Sequence, residues 1–356
     1  MIYRVLGLMS GSSLDGLDLA YVHLHSGAGK WSYTLVEAET LPYPPEWIAR
    51  LEGARDLNAR EYLLLHRAYG QYVAETVNRF IQTRNLDFQI QLVASHGHTV
   101  FHFPSMGMTA QLGDGAAIAA MTGLPVVTDL RALDMALGGQ GAPIVPIGEK
   151  WLFPTYAYFL NLGGIANVST GDRTAFDVCP AARVLNLLAS LKGAPYDPDG
   201  VWASAGRLLP DLLEALNGLD YYRLPPPKSL DNAFGTETVY GIIRDSGCSP
   251  GDGLRTYTEH IAVQVALALH GALPGEMLIT GGGAHNHYLT GRIRAHLEPL
   301  GILATIPDPD LVNFKEALVV ALFGVLRWRQ EVNVLASVTG ASRDSIGGAL
   351  WTGHEA

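Results

Sequence analysis

A chain of 356 residues exceeds one ordinary core and predicts roughly two domains. An apolar share of 48% beside 16% charged residues describes packed cores and excludes a disordered chain. The net charge of −10, with no basic run, excludes nucleic acid as a partner, because neutralising phosphates takes clustered Lys and Arg.

Two cysteines, Cys179 and Cys248, cannot build a disulfide framework. The opening residues form a strand pattern, not a basic stretch followed by an apolar one, so a cytoplasmic protein is expected. No stretch reaches the ~18 uninterrupted apolar residues that span a bilayer, so no membrane partner is expected.

The chain begins with an apolar strand-like run over 2–9. It stops at small residues and resumes, in "LMSGSSLDGLDLAYV" (8–22). Ser, Asp and Gly favour an ordinary hairpin turn. They also place backbone N–H groups and hydroxyls of Gly11, Ser12, Ser13, Asp15 and Gly16 where an anion such as phosphate could sit. Apolar residues at spacings of three and four predict a helix over 59–84. A strand follows in "IQLVASHGHTVFHFP" (90–104), where alternation puts His96 and His98 on one face. With His102 they offer a metal site, or they hydrogen-bond a ligand or backbone.

After the buried strand "VVT" come Asp129, Arg131, Asp134 and the glycine turn "LGGQGAP" (137–143). Arg131 is suited to clamp a carboxylate with two parallel donors, or it pairs internally with Asp129 or Asp134. The domain boundary is expected near 150. Beyond it, "YAYFLNLGGIANVSTGDRTAFDV" (156–178) repeats the opening plan: strand, small-residue turn at 161–167, second strand, and a third ending at Asp177. Asp177 at a strand end can serve as a general base, or as a turn or cap residue. Helical spacing returns over 205–219, 256–272 and 315–332, and "PYDPDG" (195–200) and "LPPPKS" (224–229) are surface loops. "EMLITGGGAHN" (276–286) runs a strand into Gly281, Gly282 and Gly283, which would let a base or ribose lie on bare backbone. Glu316 is expected in a helical first turn, where the dipole favours an acid.

Strands alternating with helices make the protein α/β. Two halves that open with the same phosphate-accepting hairpin imply a nucleotide in the cleft between them. Neither the P-loop pattern nor G-x-G-x-x-G is present, so the nucleotide fold is another one.

Assembled, these motifs resemble the anhydro-N-acetylmuramic acid kinases, relatives of the sugar kinase and actin fold. "GLMSGSSLDGLD" is similar to that family's G-x-M-S-G-T-S-x-D-G-x-D, with Ser12 for Thr, and "SHGHTVFHFP" to its S-H-G-Q-T-x-x-H-x-P, with His98 for Gln. "AQLGDG", "DLRALDMALGGQGAP", "NLGGIANVS", "TGGGAHN", "KEALVVALFG" and "SVTGA" follow in the family's order. The resemblance implies two actin/ribonuclease H-like α/β domains, 1–150 and 151–356, around a central nucleotide cleft, with the last helix able to pack back on the first domain. It implies ATP and Mg²⁺, held by Gly11, Ser12, Ser13, Leu14, Asp15, Gly16, Leu17 and Asp18, by Asn161, Gly163, Gly164 and Asn167, and by the glycines at 281–283. It places His96, Gln111, Asp129, Arg131 and Glu316 at the sugar, with Arg131 on its lactyl carboxylate. Asp177 matches the catalytic aspartate, which activates the water that attacks C1. The partners are then an anhydro amino sugar and ATP, with a homodimer as one option for assembly.

Two loops depart from the family pattern. F-D-T-G-P-G-N reads here "FDVCPAAR" (176–183), and P-P-K-S-T-G-R-E reads "PPKSLDNAFG" (226–235), with Asn232 and Ala233 where Arg and Glu stand. They motivate a second reading, a nucleotide-binding homologue with lost or changed sugar specificity. The three histidines motivate a third, a metal-dependent hydrolase.

Overall fold

The computed structural model describes residues 1–11, 14–170, 175–226, 228–231 and 233–353, so Ser12, Ser13 and Asn232 lie outside the described residues. The strands are β1 (Ile2–Ser10), β2 (Gly16–Gly27), β3 (Lys30–Pro42), β4 (Leu92–Phe103), β5 (Met108–Leu112), β6 (Val126–Thr128), β7 (Tyr158–Leu162), β8 (Ile165–Thr170), β9 (Ala175–Pro180), β10 (Gly275–Thr280), β11 (Ile302–Thr305) and β12 (Ala349–Trp351). The chain divides into two compact units, residues 1–153 with 314–356, and residues 154–313.

In the first unit β1, β2 and β3 form an antiparallel meander, and β4 then pairs parallel with β1. The sheet order is β12-β6-β4-β1-β2-β3, with β5 beside β4. A parallel return needs a crossover, and the helix Ala59–Thr83 supplies it, opened by an Asn58–Glu61 capping box. The second unit repeats the plan. There β7, β8 and β9 form the meander, β10 returns parallel to β7, and the order is β11-β10-β7-β8-β9. In both units the first strand of the meander lies inside the sheet, between its hairpin partner and the returning parallel strand. This is the ribonuclease H-like order, and the two units are the two copies heard as an echo along the chain.

Residues 314–356 group with the first unit, so the last helix packs back on the first domain, the option the sequence left open within 151–356. The helix Pro309–Trp328 explains this. From Ala317 to Phe323 it is buried on every side, and it meets the first sheet where side chains are absent. A Cβ at Gly7 in β1 would overlap the Ala317 carbonyl oxygen, and one at Gly324 would lie 2.6 Å from the Ala94 side chain in β4. The same helix corrects the placing of Glu316. It starts at Pro309, with Asp308 Oδ1 accepting from the Leu311 N–H, so Glu316 lies two turns inside and the first-turn dipole argument does not apply. The helix expected over 205–219 likewise begins at Pro210. No helix among the described residues is long and apolar enough to cross a membrane.

Candidate active site

In the first unit the hairpin between β1 and β2 rests on a buried polar network. The Ser10 hydroxyl lies 2.9 Å from His98 Nδ1 and accepts from the Tyr43 hydroxyl at 2.8 Å, and Tyr43 in turn meets Tyr69 at 2.5 Å. Burial, then the nearby Arg55, lowers His98 to about 4, so it is neutral when it holds Ser10. Of the stretch expected to hold phosphates, the Leu14 and Leu17 side chains pack into the apolar core. Leu14 also takes a left-handed φ of 58°, which bends the turn. Gly16 is required by the fold, because a Cβ there would lie 2.5 Å from the Leu41 carbonyl oxygen on β3. Asp18 accepts from the Thr40 hydroxyl at 2.6 Å. Burial pushes its carboxyl up to about 6 against that hydrogen bond, and repulsion from Asp15 and Glu316 adds to the rise.

Glu316 also raises the pKa of Arg131, whose charge it favours, so one carboxylate couples electrostatically to both Asp18 and Arg131. Arg131 Nε donates to His96 Nε2 at 2.9 Å, which leaves the ring proton on Nδ1, donated to the Gly97 carbonyl at 2.9 Å. Burial, with Arg131 second, lowers His96 to about 3 and fixes this neutral form. Arg131 Nη1 donates to the Gly141 carbonyl, and among the described residues no carboxylate pairs with the guanidinium. The internal pairing with Asp129 or Asp134 is therefore absent. Asp134 is buried and binds the Gly141 N–H and the Thr339 hydroxyl, while Asp129 is exposed at φ 55° and accepts from Thr128. Gln111 Nε2 donates to the Thr109 hydroxyl at 2.8 Å, and its Cβ backs onto Gly97 beside His96. Burial lowers Arg131 to about 10, so it stays charged at neutral pH.

His96, His98 and His102 do not converge. Gly97, at φ 74°, interrupts the alternation that would put the first two on one face. Their rings go to Arg131, Ser10 and Thr109 respectively.

In the second unit the register lines up four polar residues across the sheet. Thr280 pairs with Asn161, Asn161 with Asn167, and Asn167 with Asp177, after a bulge that leaves Val178 over on β9. Register partners share a face, so the row faces one side. Thr280 Oγ1 is buried without a hydrogen-bond partner. Burial raises the Asp177 carboxyl, and the Leu230 N–H donated to Oδ2 at 2.9 Å opposes that.

The two glycine clusters of this unit meet beside the row. A Cβ on Gly281, at φ 84°, would lie 2.5 Å from Asn161 Oδ1, and one on Gly283 would lie 2.8 Å from the Leu162 Cβ. Those two glycines serve the fold. Gly282 faces open space, and Gly163 and Gly164 have neither a positive φ nor any neighbour closer than 3.5 Å to an added Cβ. Among the described residues no close neighbour of an added Cβ and no positive φ demands glycine at 163, 164 and 282.

The two departing loops also meet, at Asp177. Its N–H donates to the Lys228 carbonyl and its carbonyl accepts from the Tyr221 hydroxyl, while Gly235 packs on Pro180. Cys179 and Ala181 are buried and neither takes a positive φ.

The family model for anhydro-N-acetylmuramic acid kinase matches residues 3–353. A protein of that name from Synechococcus elongatus is 33% identical, over 98% of this chain and 99% of its own. One from Gloeobacter violaceus is 35% identical over 95% of each chain, and one from Shewanella loihica is 32% identical over 98% of each. With motifs, order and length in agreement, the chain belongs to the anhydro-N-acetylmuramic acid kinase family.

Proposed function

We propose that the protein is an ATP-dependent sugar kinase that opens the 1,6-anhydro ring of anhydro-N-acetylmuramic acid with water and phosphorylates O6, a step of cell-wall recycling. The observation that carries this reading is Asp177, a carboxylate with its pKa raised by burial, at the end of the row Thr280, Asn161, Asn167 and beside glycines that the fold does not require. A general base works best when its pKa approaches the working pH. Asp177 takes a proton from the attacking water. The bond from water oxygen to C1 forms as the C1–O6 bond breaks, and O6 accepts the γ-phosphoryl group as its bond to the bridging oxygen of ADP breaks. The products are N-acetylmuramate 6-phosphate, ADP and the proton carried off through Asp177.

Arg131 is suited to the lactyl carboxylate because its charge is unpaired among the described residues and its plane is set by His96 and Gly141. Mg²⁺, when bound, would neutralise charge on the nucleotide phosphates. It needs only one or two carboxylates there, and Asp18 suits it, since burial and repulsion from Asp15 and Glu316 leave that carboxylate short of counter-charge. With ATP as donor the cytoplasm is the expected place of action.

The test is ADP release with ATP, Mg²⁺ and anhydro-N-acetylmuramic acid, with the product identified by mass. A product heavier by one phosphoryl group and one water supports the reading, and ATP turnover without it refutes the substrate. A second reading, a homologue with changed sugar specificity, is favoured by the hydrogen bond that the departing 226–235 loop makes to Asp177. Turnover on another anhydro or open-ring sugar, with none on this one, would establish it.

A further inference from the structure

Among the described residues of the second unit, Arg183 is a half-buried cation with no carboxylate partner. Arg183 lies in the first turn of the helix Ala182–Ser190, just after the departing "FDVCPAA". The helix start is tied to the hairpin turn, with the Ala181 and Ala182 N–H groups donating to the Gly164 and Gly163 carbonyls at 2.8 and 3.1 Å. This folds the Arg183 side chain over the turn, so that a Cβ built on Gly164 would lie 3.7 Å from both Nε and Nη2. The Nε atom is buried without a hydrogen-bond partner, and among the described residues no carboxylate pairs with the guanidinium.

A guanidinium with a buried, unanswered N–H is costly unless an acceptor arrives from outside. Its neighbours are Gly163 and Gly164, whose identity the fold does not demand. We infer that Arg183, in the helical turn that follows the departing loop, binds the phosphate chain of the nucleotide at the Gly163–Gly164 turn. The inference rests on the proposed ATP reading. A planar fork with fixed donors suits phosphate oxygens, and its charge-assisted hydrogen bonds are the stronger kind.

The experiment is calorimetric titration of wild type, R183Q and R183K with ATP, ADP and adenosine, alongside KM for the anhydro sugar and a thermal melt of each variant. R183Q should bind ATP and ADP roughly ten- to a hundredfold more weakly and adenosine unchanged. R183K, which keeps the charge without the fork, should fall between. Unchanged ATP affinity in R183Q overturns the inference. So does an equal loss of adenosine, which would mark a structural role, or a rise confined to the sugar KM, which would mark a carboxylate as the anion. If R183Q does not fold, R183K decides by the same comparison. Wild-type protein that binds none of these ligands would overturn the nucleotide reading and Arg183 together, whereas wild-type binding retained in the variants removes Arg183 alone.

Discussion

Two carboxylates with raised pKa carry opposite expectations. Asp177→Asn should abolish phosphorylation while ATP affinity stays within about twofold, because the role assigned is proton transfer and neither nucleotide contact nor charge balance. Single-turnover assays beside ATP titration check this, and equal loss of both would remove the assignment. Asp18 concerns stability. Its folded pKa of about 6 exceeds the ordinary 3.8, so its contribution favours folding fully below pH ~4 and is lost as pH rises through about 6. Above that, a partly buried charge is a cost. Asp18→Asn should therefore raise stability at pH 8 by about 1–2 kcal/mol, an advantage that fades toward pH 4, while ATP turnover falls. Denaturant melts across that range read the sign directly. The sequence marks both residues by their place in a turn and at a strand end. It says nothing of the Ser10–His98–Tyr43–Tyr69 network and shows Arg183 only as part of a departing stretch, because the meaning of both lies in neighbours from other strands and helices.

Elements are joined here by glycines of two kinds, which composition cannot tell apart. Gly7 admits the helix Pro309–Trp328 onto β1, so Gly7→Ala forces a methyl into the Ala317 carbonyl. Overpacking of this kind should cost about 2–3 kcal/mol in a urea melt. Gly282→Ala meets open space and should leave the melt within about 0.5 kcal/mol of wild type while weakening nucleotide binding. If both substitutions behave alike, the division into fold glycines and ligand glycines is wrong. Helix and strand positions were readable because periods of 3.6 and 2 are local properties of the chain. The start of the helix at Pro309 was not, since "PDLVN" lacks a strong apolar stripe and its cap comes from Asp308, outside the periodic run.

At the scale of the molecule, the first unit is discontinuous in sequence and the second is continuous. A fragment 154–313 should therefore melt cooperatively alone. A fragment 1–153 should not, because it lacks the buried run from Ala317 to Phe323, where each large apolar side chain contributes about 1.5–3 kcal/mol. Circular dichroism melts of the two fragments check this, and a cooperative 1–153 would refute it. The α/β alternation, the repeated hairpin plan and the family motifs are legible along the chain, because turn chemistry and periodicity are written in neighbouring residues. Tertiary packing was needed to show that the last helix does take the return to the first unit, that Thr280, Asn161, Asn167 and Asp177 form one row, and that Arg183 covers the Gly164 turn. Strand register and helix docking are set by burial between segments far apart along the chain, and no local pattern encodes that burial.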